Sequence, residues 1–509
     1  RGCRRTHSDT EYISATTMEL LVLLVSLLPP LVLCITVVAA AAAFQRRACV
    51  ASAVHVQHDG QQPIIEIRDP TIARRALMDH AEAFSNRPLN IFPVALVSGP
   101  LRRHSDNLTS VPYGPRWRAL RCTLNAAVLH PSRLGHMDPL RLEAMDTLVA
   151  DLRARCGGGS ELVVRDILNA AVFPLVARTC FGSGVDDGHV LAMRDLLRAF
   201  VLAVDGAKDF AGSKMAKLLH WRRWRRFLAF RGRQAELFLP LINARRNSDR
   251  HLGHGGGLTP YLDLLLDVRV PVDDDDDHTA GGNKALRPLT DDELVSLLSE
   301  FLGAGPGTVV SSMEWTLAHL VLQPDVQNNI RREVDAVEGA LSEAHVRQMP
   351  YMRAVVLESL RLHPPIPFAL RDVADQGNAA VVGYAAANVP TEGARAHFNL
   401  GEIGRDKNAW TDPDAFRPER FLAGGEGEGV GLVPGPKEIK MMPFGAGRRA
   451  CPGGGLATMH VKSFVAALVR EFEWAPPSGA DVDLAELDGF FKVMKNPLRA
   501  HVTLRPQRG

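Results

Sequence analysis

Cys451 stands between a glycine-rich turn and an apolar run, within Met441-Met442-Pro443-Phe444-Gly445-Ala446-Gly447-Arg448-Arg449-Ala450-Cys451-Pro452-Gly453. Gly445 and Gly447 suit a tight hairpin that lies close under another group, because a Cβ would hold the backbone away. Pro452 suits the first position of a helix, which puts Cys451 near a helix N-terminus. The positive end of the dipole favours a thiolate there, and the thiolate is the form that ligates a metal. The plain alternative is a buried structural cysteine, the usual fate of a lone thiol. Five fixed positions in ten residues (Phe444, Gly447, Arg449, Cys451 and Gly453) favour the ligand.

Three other groupings have spacings that could do work. Trp117 and Arg121 lie one helical turn apart on one face. Glu358 and Arg361 form E-x-x-R, and Arg420 stands in Pro418-Glu419-Arg420-Phe421. Two guanidiniums sharing one carboxylate can satisfy bidentate geometry away from water. Solvated amphipathic helices produce either pair by chance, so neither speaks alone. Ala304 and Gly305 form a step of small residues ahead of Thr308, in Gly303-Ala304-Gly305-Pro306-Gly307-Thr308.

In this order along the chain, these motifs resemble those of the cytochrome P450s, the haem-thiolate monooxygenases, and the flanking sequence resembles the plant membrane-bound type. The resemblance covers residues 63–505. It implies a mainly α fold with a small β-rich region and haem b between a long helix and the Cys451 loop. Cys451 would be the axial iron ligand, with Phe444 and Gly453 beside it. Arg449, Trp117 and Arg121 would meet the haem propionates. Arg371 lies about one position from where the family often places a further propionate-binding base. Thr308, Ala304 and Gly305 would form the oxygen side, while Glu358, Arg361 and Arg420 would hold the region below the haem. A thiolate opposite the oxygen site favours O–O cleavage as a neutral histidine cannot. The implied reaction inserts one oxygen atom from dioxygen into a lipophilic small molecule. Electrons would come from NADPH through a flavoprotein reductase, docked near Lys437, Lys440 and Arg448.

Two residues depart from the pattern. The acid that normally precedes the threonine is here Gly307, and Pro306 sits mid-helix, where it cannot donate to the Leu302 carbonyl and is expected to kink the helix. Two rival readings follow. One is a haem-thiolate isomerase or dehydratase of peroxide-type substrates, which needs no external oxygen. The other is a non-catalytic haem binder or degenerate paralogue.

The elements that must position these residues are legible from caps and periodicity. Thr290 with Glu293 is a capping box for a helix to Leu322, about 50 Å long. A second helix, Tyr351–Leu362, carries E-x-x-R, and Pro364-Pro365 should end it and start a strand. Asp69-Pro70 opens a helix through Asp79, after a strand at 63–67. Periodicity predicts helices over Leu140–Arg155, Leu162–Cys180, Val190–Val204, Pro260–Val268 and Leu456–Phe472. Val493–Arg499 resembles the family's C-terminal strand. Val270–Pro288, with its Asp273–Asp277 run, reads as a disordered loop. The basic aromatic stretch Trp221–Phe227 reads as a solvated helix face ahead of a membrane contact. Only Ala48–Gln62 separates the apolar N-terminal region from the first strand, so part of the family's N-terminal β-region is expected to be missing.

Residues 1–17 are polar, and Met18 reads as the natural start. Within 18–47, Leu20–Phe44 is apolar, uncharged and long enough to span a bilayer, with Arg46-Arg47 just after it. A single-pass anchor in the endoplasmic reticulum membrane with a cytosolic catalytic domain is expected. Asn107-Leu108-Thr109 would then stay unglycosylated. Seven scattered cysteines match reduced thiols in a cytosol-facing chain, and 46% hydrophobic with 23% charged residues gives ample core. A net charge of +2 and no nucleic-acid motif exclude nothing by themselves, and no nucleic-acid partner is expected. The segments expected to line the substrate pocket (near 89–112, 200–215, 300–308, 365–370 and 487–492) are hydrophobic without a distinctive polar code.

Overall fold

The computed structural model describes residues 54–506 apart from 60–61, 89–105, 157–160, 205–209, 211–213, 249–257, 273–284, 384–393, 480, 488 and 490. The helices, in chain order, are α1 (Pro70–Arg74), α2 (Pro115–Leu124), α3 (Asp138–Arg155), α4 (Val164–Phe181), α5 (Asp187–Val204), α6 (Lys214–Leu219), α7 (Trp221–Asn247), α8 (Tyr261–Asp267), α9 (Asp291–Leu322), α10 (Pro324–Asp335), α11 (Glu343–Arg347), α12 (Pro350–Leu362), α13 (Gln376–Val381), α14 (Leu400–Gly404) and α15 (Gly454–Glu471). The strands are β1 (Val54–Asp59), β2 (Gln62–Ile67), β3 (Glu161–Val163), β4 (Arg269–Pro271), β5 (Leu286–Pro288), β6 (Phe368–Val373), β7 (Ala394–Asn399), β8 (Phe472–Ala475), β9 (Glu486–Leu487), β10 (Val493–Met494) and β11 (Arg499–Leu504).

The long helix α9 organises the core. Its capping box forms as the sequence demands: Thr290 accepts the Glu293 amide, and the Glu293 carboxylate accepts the Thr290 amide at 2.7 Å. Arg287 and Arg116 converge on the same carboxylate, which holds it down to about 2 against the pull of burial. The helix is buried along most of its length and packs on α4, α12 and α15. Its apolar length would suffice to cross a membrane, but the burial marks it as a core helix. Pro306 does not break it; α9 runs through unbroken to Leu322. A mid-helix proline costs about 3 kcal/mol. Val309, Val310, Met313 and Trp315 are buried just beyond it, and each such side chain contributes roughly 1.5–3 kcal/mol on burial. Packing outweighs the lost bond.

Small sheets frame the helices. One has the order β1-β2-β7-β6, with β2 parallel to β7 (Ile64 opposite Arg395) and β6 antiparallel to β7 (Phe368 opposite Asn399). Another has the order β3-β11-β8, which ties Val163 to Arg499 and Phe472 to Leu504. Several expectations need correction. The N-terminal sheet includes β1, because Val54–Asp59, within the short stretch Ala48–Gln62, has enough alternation to pair. Leu162 does not open a helix: the β3 pairing takes residues 161–163 before α4 starts. The acidic stretch is bounded by β4 and β5, which pair with each other, while Asp273–Asp277 lie outside the described residues. The expected anchor, Leu20–Phe44, also lies outside them.

Candidate active site

The Cys451 loop is a hairpin closed by its own backbone. The Cys451 amide donates to the Phe444 carbonyl at 2.8 Å, and the Gly445 amide donates to Met442. Gly445 and Gly447 have φ of +70° and +71°, and a Cβ on Gly447 would stand 2.3 Å from the Leu77 carbonyl oxygen. Only glycine fits there. The Phe444 ring lies against the first turn of α15, 3.2 Å from where a Cβ on Gly454 would be. Amides of Gly453 and Gly454 point at the sulfur. Burial pushes the Cys451 thiol up, while those amides and the guanidiniums of Arg121 and Arg87 pull it down. They stabilise negative charge on sulfur, as a metal-bound thiolate requires.

Cys451 is nevertheless accessible, although protein atoms surround it closely. Glu300 on α9 is half-buried. On α9 the exposed positions in the middle of the helix are Ala304 and Gly307, with Thr308 partly exposed beside them. Spacings of three and four residues put these on one face. The Thr308 hydroxyl donates back to the carbonyls of Ala304 (2.8 Å) and Gly305 (3.1 Å). Gly305 is half-buried, as Thr308 is. A Cβ there would stand 3.3 Å from Val176 Cγ1, so its smallness serves the packing of α9 on α4. Added Cβ atoms at Gly303 and Gly307 would meet nothing within 4 Å.

Four arginines gather around the cysteine loop. Arg449, buried, donates to the carbonyls of Ser85 (2.8 Å), Leu108 (3.0 Å) and Val111 (2.7 Å), and lies over the Trp117 ring at 4.8 Å. Arg121 donates to the Ala450 carbonyl at 2.6 Å, and Arg371 to the Ala446 carbonyl at 3.0 Å. Arg87 donates to the Arg449 carbonyl at 3.5 Å. Burial lowers all four; neighbouring arginines add to it at Arg121, Arg371 and Arg449, which falls to about 9, while Glu300 and Cys451 act the other way on Arg87. Glu300 is the carboxylate that acts on Arg87 and Arg449. Among the described residues, Trp117 Nε1 and Arg87 Nε are buried donors without a partner. Surplus positive charge with unspent donors suits a ligand carrying carboxylates, and with the accessible Cys451 sulfur it fits haem b. Arg449 spends all its nitrogens on backbone carbonyls, so Arg87, Arg121 and Trp117 are the better-placed donors for those carboxylates.

Sequence reasoning missed Arg87 and Glu300. Arg87 stands 362 residues from its partner Arg449, and no periodicity marks it. Glu300 is two turns ahead of Thr308 on the same face, a spacing that could have drawn attention.

Glu358, Arg361 and Arg420 meet in one buried network. Arg361 grips Glu358 with two bonds (2.7 and 2.8 Å), and Arg420 Nε donates to the same carboxylate at 3.1 Å, as does the Arg417 amide at 2.9 Å. All three side chains are buried. Arg361 also holds the carbonyls of Gly404 and Pro413, so α12 is fastened to the segment that leads to the cysteine loop.

The cytochrome P450 family model matches residues 43–504. The chain is 33% identical over 458 residues to cytochrome P450 89A9 of Arabidopsis thaliana, covering 87% of this chain and 85% of that protein. It is 30% identical to flavonoid 3'-monooxygenase of Arabidopsis thaliana, covering 82% of this chain and 77% of the relative. A solved zebra fish cytochrome P450, determined with progesterone, superposes with a TM-score of 0.69 at 22% identity, covering 91% of this chain and 98% of that one. The Cys451 hairpin and these matches agree: the chain belongs to the cytochrome P450 family, the haem-thiolate monooxygenases.

Proposed function

We propose that the protein inserts one oxygen atom from dioxygen into a lipophilic small molecule, with haem ligated by Cys451 and electrons from an NADPH-dependent flavoprotein reductase. The observation that carries this is the accessible Cys451 in a closed hairpin, with Arg121 and Arg87 acting on it and the amides of Gly453 and Gly454 aimed at its sulfur. Haem bound there supplies oxygen activation. The chain's own residues do the rest. Amides of Gly453 and Gly454 hold negative charge on sulfur, Arg87, Arg121 and Trp117 orient the carboxylates, and Thr308 Oγ1 offers the protein's hydroxyl on the oxygen side. The apolar core around α4 and α9 excludes water. The reduced, carbon-monoxide-bound protein should show the red-shifted Soret band of a thiolate haem, and Cys451→Ala should abolish turnover. A histidine-type spectrum in the wild type would overturn the assignment.

One observation favours a second reading. Gly307 stands exposed on α9 with no acid at that position, which would suit a haem-thiolate isomerase or dehydratase of peroxide-type substrates. Turnover that needs neither NADPH nor dioxygen would select it.

The same proposal places the protein on the endoplasmic reticulum membrane through residues 20–44, catalytic domain in the cytosol. A second feature supports membrane contact: Met215, Leu218, Leu219 and Trp221 are exposed together at the junction of α6 and α7. Arg222 and Arg225 lie near the Trp221 ring at 5.6 Å. Apolar side chains ringed by cations suit an anionic lipid surface. Of the residues proposed for the reductase, Lys440 donates to the Glu426 carbonyl and Arg448 lies over Tyr113, 3.7 Å from Glu82. Protease added to intact microsomes should digest the large domain; protection, or glycosylation at Asn107, would reverse the topology.

A further inference from the structure

We infer that Glu300 is a positioning residue that sets the spacing between the oxygen-side helix and the thiolate loop. The inference rests on the proposed haem site, and its geometry is independent of that site. Glu300 stands one turn ahead of Ala304 on α9. Its carboxylate accepts the amides of Leu108 at 2.8 Å and Thr109 at 2.7 Å. The carbonyl of the same Leu108 accepts from Arg449 at 3.0 Å, and Arg449 is two residues from Cys451. One residue, Leu108, is therefore gripped from α9 through its amide and from the cysteine loop through its carbonyl.

The segment that carries Leu108 is itself stiff. The amides of Ser110 and Val111 both donate to the Asn107 carbonyl, and Val111 holds Arg449 through its own carbonyl. A rigid turn clamped on two sides acts as a spacer. Glu300 is also the carboxylate that faces Arg87 and Arg449, so the spacer fixes a negative charge beside the cationic group. A neutral amide at 300 would present an NH₂ to one of the two amides and would remove that charge.

Amide exchange of the full chain and measurements on the haem-loaded enzyme test this together. Glu300→Gln, close to isosteric, should speed hydrogen exchange of the peptide containing Leu108 and Thr109 at least about tenfold, the effect of one lost charge-assisted hydrogen bond. It should also speed haem transfer to apomyoglobin several-fold and move the reduction potential in the positive direction. Glu300→Asp keeps the charge but not the reach; it should speed exchange and leave the potential near wild type. Unchanged exchange in Glu300→Gln overturns the tether. Faster exchange with unchanged haem transfer and potential makes Glu300 a plain structural tether and overturns the positioning role. A wild type that takes up no thiolate-ligated haem brings down the functional reading instead, and the exchange measurement still judges the tether.

Discussion

With Gly307 in place of an acid, the Thr308 hydroxyl donates, among the described residues, to the backbone of its own helix at Ala304 and Gly305. On the proposed function, the oxygen side would lack the carboxylate next to Thr308 that assists proton delivery. General acid assistance is typically worth about 10²–10⁴ in rate. We expect poorly coupled turnover in the wild type, with NADPH diverted to peroxide. Gly307→Asp should raise product formed per NADPH, because a Cβ there meets nothing within 4 Å and the new carboxylate needs no repacking. Tight coupling in the wild type together with lower yield in Gly307→Asp would show that the acid is not what this helix lacks. Arg87 invites a test with two opposite signs. Burial disfavours its charge, Glu300 offsets part of that, and it repels Arg371 and Arg449, so Arg87→Gln should raise the melting temperature of the haem-free form. The same change should speed haem loss about tenfold, since a charge-assisted hydrogen bond contributes about 1.5–3 kcal/mol. A variant that lost stability in both forms would contradict the assignment.

Among the elements, α12 shows how far a local motif reaches. Glu358 satisfies two guanidiniums and one amide in a site without water access. Breaking a buried ion pair from one side costs about 3–5 kcal/mol, because the partner charges stay buried. Glu358→Gln should therefore yield little folded protein, and urea denaturation of what remains should show a loss of that size; a loss below about 1 kcal/mol would mean that the arginines find other acceptors. This network, the capping box of α9 and the Cys451 turn were legible because each depends on residues whose spacing is fixed by one helix turn or one hairpin. Arg87 and Glu300 were not. Their partners, Arg449 and the Leu108–Thr109 amides, lie far along the chain, and backbone amides leave no trace in residue identity. The packing role of Gly305 was not legible either: composition marks it as small, and only the approach of Val176 on α4 shows what that smallness admits. Likewise β3 was absorbed into a predicted helix, since Leu162 fits the apolar period and its strand pairing with Ala500 is invisible locally.

At the scale of the whole molecule, buried histidines make the fold sensitive to mild acid. His460 on α15 is held down to about 3 by burial first and by Arg141 beside it second. His319 and His363 are also lowered, chiefly by burial, and their Nε2 atoms lie 3.0 Å apart. His363 Nδ1 lies 3.0 Å from Glu486, so it donates to that carboxylate; its Nε2 then accepts, and His319 Nε2 carries the proton between them. A second proton on His363 would set two N–H groups against each other. Arg405 and Arg361 disfavour it further, while Glu486 favours it. For all three the folded value lies below the ordinary 6.5. The unfolded chain then binds more protons than the folded one once the pH drops below about 6.5, and stability falls as pH falls from there toward about 3. Glu293, held at about 2, works in a lower window: its stabilisation is complete above about 4.5 and is lost as pH falls to about 2. The first loss on acidification therefore belongs to the histidines, on the order of 1 kcal/mol each per unit of pH. Urea midpoints measured at pH 7.5 and 5.5 should fall clearly in the wild type and less in His460→Gln, which keeps an acceptor for Arg141 but cannot take up a proton in the unfolded chain. Equal falls in both proteins would place the acid sensitivity elsewhere.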